Sequence, residues 1–147
     1  MKMKREQRRS GFTLVEIMAV IVIIGLLAAF AAQNFIGRID EGRKVATKVN
    51  LKILHQSVLN FKMDTGRYPT EEEGLSALIE QPTDVENWSP NGYLESDKLP
   101  RDGWKRDFIY QLNPESGKPF VIISYGADDK EGGEGPYDTD LYSTDAE

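Results

Sequence analysis

The 147-residue sequence contains no cysteine and a single histidine, His55. Without cysteine the chain can form no disulfide, no thiolate metal site and no cysteine nucleophile. One histidine excludes sites that need two imidazoles, and on a helix we interpret it as a packing or surface residue. The motifs G-x-S-x-G and H-E-x-x-H are absent, as is a phosphate-binding glycine loop. The sequence therefore does not predict an enzyme.

Positive charge is scarce over most of the chain. Residues 1–11 hold five basic residues and one acid, whereas residues 12–147 hold 13 basic and 23 acidic residues. Because an acidic body repels phosphate backbones, we expect no nucleic-acid partner. With 39% hydrophobic residues, the chain has room for one small folded domain and an appended segment.

The appended segment is amino-terminal: five basic residues, Lys2, Lys4, Arg5, Arg8 and Arg9, precede an apolar run from Ile17 to Ala32, which lies within a 21-residue stretch from Phe12 to Ala32. This charge order leaves the amino end in the cytoplasm and exports the rest. A cleaved secretory signal is one interpretation, since residues 29–31 offer a small-x-small cleavage site. A permanent anchor is another, since 21 helical residues span about 30 Å. Neither explains Glu16, because a carboxylate at the centre of a spanning helix costs about 2.5–3.5 kcal/mol.

The stretch "SGFTLVE", residues 10–16, resembles the processing site of the type IV prepilin family. The resemblance implies that a prepilin peptidase and methyltransferase removes the leader, residues 1–11, by cutting between Gly11 and Phe12, and then methylates Phe12. It also implies a role for Glu16 in assembly, in which the carboxylate neutralises the Phe12 ammonium of a neighbouring subunit. Opposite charges within about 4–6 Å favour both ionised forms, which would explain the intramembrane acid.

Beyond the apolar run the sequence predicts a continuation of the same helix. No strong breaker lies between Phe12 and Asp64, and Gly66 with Pro69 marks the end, so the helix has about 50 residues and a length of roughly 75 Å. Its basic surface, residues 38–62, could contact lipid headgroups, the acidic face of another subunit or only solvent. Apolar residues at three- to four-residue steps predict the face that packs on the head: Val49, Ile53, Leu54, Val58 and Phe61.

The remaining residues predict a small α+β head. Thr70 as N-cap and Glu73 at the capping-box position indicate a short helix that reaches about Glu80 and is stopped by Pro82. Residues 108–112 and 120–125 are β-branched and aromatic runs, which predict an antiparallel hairpin packed on the long helix.

Three head motifs, "GRYPTEEEGLSALIEQP", "NGYLESDKLPRDGW" and "SYGADDKEGGEG", together with the amino-terminal motif resemble the major pseudopilins of type II secretion systems. The resemblance implies a pilin-like fold: a long amino-terminal helix with a membrane-spanning first half, a small antiparallel sheet and a carboxy-terminal calcium-binding loop. Residues 1–11 would be the cleaved leader, 12–36 the transmembrane and filament-core helix, and 37–147 the periplasmic head.

The same resemblance implies a structural function. The chain would polymerise from the inner membrane into a periplasmic pseudopilus that drives export of folded proteins across the outer membrane. Implied partners are further copies of the chain, minor pseudopilins, the inner-membrane assembly platform and the lipid bilayer. The alternatives are a major pilin of a type IV pilus and a secreted periplasmic calcium-binding domain.

The carboxy-terminal stretch, residues 126–147, carries eight acids and one lysine. Its composition fits a solvated acidic tail, but its glycines also allow turns that could wrap oxygen ligands round Ca²⁺. The resemblance implies Ca²⁺ as cofactor, with ligands from the carboxylates of Asp128, Asp138 and Asp140 and from the Tyr125 backbone carbonyl.

The sequence departs from the family pattern in three regions. Gln33 stands in place of the usual proline, which predicts a straighter helix. Gly103, Lys105 and Arg106 replace the usual proline, glycine and asparagine around Trp104, and Asp129 replaces a glycine of the carboxy-terminal loop. We expect the loop around Trp104 to bend differently without a change of function, and we expect Asp129 either to join the calcium site or to crowd it.

Overall fold

A computed structural model describes residues 11–145 of the chain, except for the side chains of residues 32–36. The helix α1 spans Leu14–Thr65, a 3₁₀ helix spans Gly74–Leu78, and strands β1, β2 and β3 span Ile109–Leu112, Phe120–Ser124 and Leu141–Tyr142. A last 3₁₀ helix spans Ser143–Asp145. The predicted α+β class is confirmed. The chain divides into two units, one ending at Arg38 and one beginning at Ile39.

Helix α1 has 52 residues because proline is absent before position 69. It ends as predicted at Gly66, which has φ +80° and whose N–H donates to the Lys62 carbonyl at 2.9 Å. The backbone is helical through position 33, but the side chain of Gln33 lies outside the described residues, so the straighter helix stays a prediction.

The second unit has one apolar core, formed where α1 meets the sheet. Phe120 and Ile122 of β2 lie in the same buried cluster as the helix residues. Fully buried positions of α1 recur at steps of three and four residues, namely Leu51, Leu54, Val58 and Phe61. The prediction was wrong for Val49 and Ile53, which are 52% and 47% exposed. At 3.6 residues per turn these two lie on the side opposite the core.

The sheet has the order β1-β2-β3 and is antiparallel throughout. The predicted hairpin is confirmed, with Ile109 paired to Ile123 and Leu112 paired to Phe120. Strand β3 was not predicted, because only two residues pair with the end of β2, and a pattern that short carries no periodicity.

The predicted helix after Thr70 is shorter than expected. The capping box forms, with the Thr70 N–H donating to Glu73 Oε2 at 2.8 Å and the Glu73 N–H donating to Thr70 Oγ1 at 3.2 Å. An α-helix does not follow, because Gly74 adopts φ +53°, which interrupts the right-handed turn. A 3₁₀ helix begins there instead and buries Leu75 and Leu78.

An ion-pair network beside this capping box gives the head a pH-dependent stability. Arg67 donates to both carboxylate oxygens of Glu73 at 2.8 and 2.7 Å and to Asp84 Oδ1 at 2.9 Å. The hydrogen bonds from Arg67 are the largest cause that lowers the pKa of Glu73 to about 2. The ordinary glutamate pKa is about 4.3, so the stabilisation is complete above that pH and is lost as the pH falls towards 2.

We therefore expect the unfolding free energy to fall by about 1–2 kcal/mol between pH 4.3 and pH 2 on account of Glu73, allowing for its partial exposure. Denaturant titrations followed by tryptophan fluorescence would measure this slope. Glu73→Gln should remove it, whereas the exposed neighbour variant Glu72→Gln should keep it. Equal slopes in the two variants would contradict the assignment to Glu73.

Candidate functional site

The processing motif lies at the exposed start of α1. Among the described residues, no atom beyond its chain neighbours lies within 4 Å of the position that a Cβ on Gly11 would take, and the Phe12 side chain is 85% exposed. The peptide bond between Gly11 and Phe12 is thus not covered by the part of the chain that the structure describes.

Glu16 has a local partner that the sequence analysis missed. Its Oε2 accepts hydrogen bonds from the Thr13 N–H at 2.8 Å and from Thr13 Oγ1 at 3.1 Å, while the Glu16 N–H donates to Thr13 Oγ1 at 3.2 Å. These contacts form a capping box at the first turn of α1. The signal was the T-x-x-E spacing before an apolar run. Glu16 therefore caps its own helix whatever it does between subunits.

The helix segment that follows is apolar and unburied. Leu14–Ala31 is long and apolar enough to cross a membrane, and none of it is buried within the chain. Ile21, Ile24 and Leu27 are each 59% or more exposed. A core helix of a soluble domain would bury such residues, so this helix needs an apolar environment outside the chain, either lipid or other protein.

The second region is the loop that connects β2 to β3, residues 125–140. Asp140 is only 8% exposed at its end. Its Oδ2 accepts from the Gly132 N–H at 3.0 Å and from the Tyr142 hydroxyl at 3.1 Å. Its Oδ1 is buried, and no donor among the described residues reaches it. Burial, followed by the hydrogen bond to Asp140, raises the pKa of Tyr142, so the hydroxyl stays protonated.

Asp138 lies against the same glycine turn as Asp140. A Cβ on Gly135 would meet the Asp138 carboxylate oxygen Oδ2, and a Cβ on Gly133 or Gly126 would meet the backbone of Asp138. Gly126 and Gly133 have φ +64° and +90°, and a Cβ on Gly126 would come within 2.6 Å of the Tyr137 carbonyl oxygen. Glycine is therefore required for the loop to fold back on itself here. Lys44 of α1 holds the outer edge by donating to the Pro136 carbonyl at 3.0 Å.

The other proposed ligands are placed differently. Asp128 is exposed, and its Oδ1 accepts from the Lys130 N–H at 3.2 Å. Tyr125 is half-buried directly after β2. Among the side chains that the structure describes, no three acids or histidines converge as a metal-binding group. The structure thus brings Asp138 and Asp140 to one turn and leaves Asp128 on the outer surface.

One atom of this loop is suited to bind a hard cation, the buried Oδ1 of Asp140. A buried carboxylate oxygen without a hydrogen-bond donor is costly, and a cation would satisfy it. Ca²⁺ takes six to eight oxygen ligands and readily uses backbone carbonyls, which a glycine-rich turn supplies. Because Asp128 lies apart from Asp138 and Asp140, backbone carbonyls would have to supply the remaining oxygen ligands.

Two departures noted in the sequence occupy backbone positions suited to glycine. Lys105 has φ +68° and Asp129 has φ +60°, in the left-handed region. Aspartate tolerates this conformation better than lysine, because its short side chain can hydrogen-bond locally. Both residues thus adopt a backbone conformation that favours glycine, and the altered bend around Trp104 stays a prediction.

Arg106 also contacts the loop that connects β2 to β3, and the sequence did not predict these contacts. Its guanidinium donates from Nη1 to the Gly126 carbonyl and from Nη2 to the Ala127 carbonyl at 2.8 Å. These partners follow it by 20 and 21 positions, and no local spacing rule links residues so far apart.

Comparison with known proteins decides between the interpretations of this geometry. Residues 34–144 match the family described as "Type II secretion system (T2SS), protein G", and residues 7–32 match the prokaryotic N-terminal methylation motif. The chain belongs to the type II secretion system protein G family. It is a pseudopilin, a structural subunit and not an enzyme, as the resemblance implied.

Members of the protein G family from several bacteria are similar over nearly their whole length. The type II secretion system core protein G of Pseudomonas aeruginosa is 41% identical over 134 residues, 89% of this chain and 92% of that protein. The proteins of the same name from Vibrio cholerae and Escherichia coli K12 are 36% and 34% identical, each over 135 residues, which are 90% of this chain and 90% and 91% of the relative.

A solved pseudopilin structure supports the fold. The crystal structure of the major pseudopilin from the type 2 secretion system of enterohaemorrhagic Escherichia coli matches with a TM-score of 0.60 at 28% identity. The match covers 74% of this chain and 92% of that one. These similarities favour the pseudopilin interpretation over a type IV pilus pilin or a free calcium-binding domain.

Proposed function

We propose that the chain is the main subunit of a periplasmic pseudopilus, and that it polymerises from the inner membrane to drive folded proteins across the outer membrane. The observation that carries the proposal is the unburied apolar helix Leu14–Ala31, which begins directly after an exposed prepilin-type processing site. Basic residues 2–9 would hold the amino end in the cytoplasm, with the head in the periplasm.

In this proposal the first half of α1 exchanges one apolar environment for another. Before assembly it contacts lipid, and in the filament it contacts the same helix of other copies. Glu16 is satisfied by Thr13 in the separate subunit, and it binds the methylated Phe12 ammonium of a neighbour after cleavage. Prepilin peptidase, minor pseudopilins and the inner-membrane platform are the proposed further partners.

The head offers a second surface for self-association, an exposed aliphatic stripe on α1. Val45, Val49 and Ile53 recur every four residues and are 53%, 52% and 47% exposed. They lie on the side of the helix that faces away from the core, beside the exposed Lys48 and Lys52. We define these three aliphatic residues as the outer stripe. The positive charges of Lys48 and Lys52 would complement the negative charge of an acidic surface on another copy.

The outer stripe gives a test of self-assembly. Val49→Glu combined with Ile53→Glu should reduce filaments in electron micrographs by about tenfold or more, since desolvating two new charges costs at least 1.4 kcal/mol per subunit. The melting temperature should stay unchanged, because neither side chain packs in the core. The matched control, Thr83→Glu with Asn91→Glu, adds the same charge at exposed positions outside α1. Normal filaments from the stripe variant would exclude the outer stripe from the interface.

We also propose that the loop between β2 and β3 holds Ca²⁺ at the buried Oδ1 of Asp140. Asp138, Asp128 and the Tyr125 carbonyl are the further proposed ligands, of which Asp138 borders the same turn. The bound ion would add positive charge to a loop rich in acids, so the loop would keep one conformation in the filament.

A further inference from the structure

The side chain of Arg106 binds oxygens at the start of the loop that connects β2 to β3, in the way that a bound cation would. Its guanidinium donates to two successive backbone carbonyls, those of Gly126 and Ala127. Its Nε lies 3.7 Å from Asp129 Oδ1. The guanidinium therefore contacts three oxygens of the loop, and its planar arrangement of N–H donors matches the two adjacent carbonyls.

Arg106 itself is fixed by the buried carboxylate of Asp102. Asp102 Oδ1 accepts from the N–H groups of Trp104 and Arg106 at 2.9 and 2.8 Å, and its own N–H donates to the Arg106 carbonyl at 2.9 Å. Its Oδ2 accepts from Ser124 Oγ of β2 at 2.8 Å. Asp102 is only 5% exposed, so the guanidinium extends from a rigid base in the core.

The order that Arg106 imposes reaches the other end of the loop. The Ala127 N–H donates to the Tyr137 carbonyl at 2.8 Å, and Gly126 packs on the backbone of Asp138. Residue 127 is thus held on one side by Arg106 and pairs on the other with the segment that leads to Asp138 and Asp140.

We propose that the guanidinium of Arg106 acts on the loop as a fixed cation, which orders residues 126–129 without metal and so positions the calcium ligands in advance. This inference rests on the calcium site proposed above. Two effects of the guanidinium oppose each other, since it repels Ca²⁺ but removes the cost of ordering the loop. The oxygens that Arg106 contacts belong to Gly126, Ala127 and Asp129, none of which is a proposed calcium ligand, so we expect the ordering effect to dominate.

Calcium titration of the full chain in detergent, followed by tryptophan fluorescence, tests the proposal. Arg106→Gln should weaken calcium binding by about tenfold or more, as is typical when groups that orient metal ligands are lost. Arg106→Lys keeps the charge but not the planar set of donors, so its calcium affinity should lie between those of the native chain and Arg106→Gln. Arg101→Gln is the matched control, because that arginine pairs with Asp107 in an exposed ion pair and should leave the affinity unchanged. Unchanged or tighter binding by Arg106→Gln would overturn the proposal.

Hydrogen exchange in chelator separates this inference from the calcium site. Without calcium, backbone amides of residues 126–129 should exchange at least about tenfold faster in Arg106→Gln than in the native chain and in Arg101→Gln. If the native chain bound no calcium yet showed this difference, the calcium site would fail while the ordering role stood. Equal exchange rates in the native chain and Arg106→Gln would overturn the ordering role itself.

Discussion

Replacing Glu16 by glutamine is expected to leave membrane insertion and leader cleavage intact and to reduce filament formation by more than about tenfold. Glutamine keeps an acceptor for the Thr13 N–H but carries no charge. The Phe12 ammonium of the neighbouring subunit would then be buried without a counter-charge, at a cost of several kcal/mol per subunit. Since 1.4 kcal/mol corresponds to about a factor of ten, few filaments should form. Electron microscopy of sheared filaments and immunoblots of processed subunits would measure both effects.

The Thr13–Glu16 capping box supplies the control for this experiment. Thr13→Ala removes the hydroxyl of the capping box and leaves the carboxylate, at a cost of about 1 kcal/mol to the helix start. We expect that variant to polymerise much better than Glu16→Gln. Equal loss of filaments in the two variants would show that Glu16 acts through capping, and normal assembly of Glu16→Gln would refute the charge-pairing role.

Removal of calcium is expected to lower the melting temperature of the head by roughly 10 °C. The figure follows from about 2.7 kcal/mol of stabilisation at a calcium concentration 100 times the dissociation constant, for a head of about 110 residues. Both tryptophans, Trp88 and Trp104, lie in the second unit, so their fluorescence reports on the head without interference from the apolar helix. Melting of the full chain in detergent, with calcium and with EDTA, gives the difference.

Single substitutions in the loop should rank the proposed ligands. Asp140→Asn should make the melting temperature independent of calcium, because it alters the buried carboxylate whose Oδ1 is unpaired. Asp128→Asn, at an exposed position, should weaken the response less. Glu134→Gln changes another exposed acid of the same loop and serves as the control. Identical melting temperatures of the native chain with calcium and with EDTA would refute the proposed calcium site.

The parts of the fold that depend on local pattern could be predicted from the sequence. A proline-free apolar run predicts α1, and two β-branched runs predict the β1–β2 hairpin. The buried face of α1 was predicted only in part, because Val49 with Ile53 and Leu51 with Leu54 fit the helical period equally well. Packing against Phe120 of β2 decides between them, and that contact joins residues far apart in the chain.

The candidate site was predictable in composition but not in geometry. The acids and glycines of the loop could be read directly, but the burial of Asp140 depends on the Gly132 turn and on Tyr142. The contact between Arg106 and the loop joins two segments that only the fold brings together. Glu16 shows the opposite case, because its capping role was present in the spacing from Thr13 and was overlooked in favour of the pairing between subunits.

The most direct test of the account is the amino terminus of the chain isolated from membranes of cells that make the complete secretion system. Intact mass and amino-terminal sequencing should give a chain that begins at methylated Phe12. That result would supply the Phe12 ammonium that Glu16 of a neighbouring subunit binds in the assembly proposal. A chain that begins near Ala32 would contradict the account, since it would have lost both Glu16 and the apolar helix.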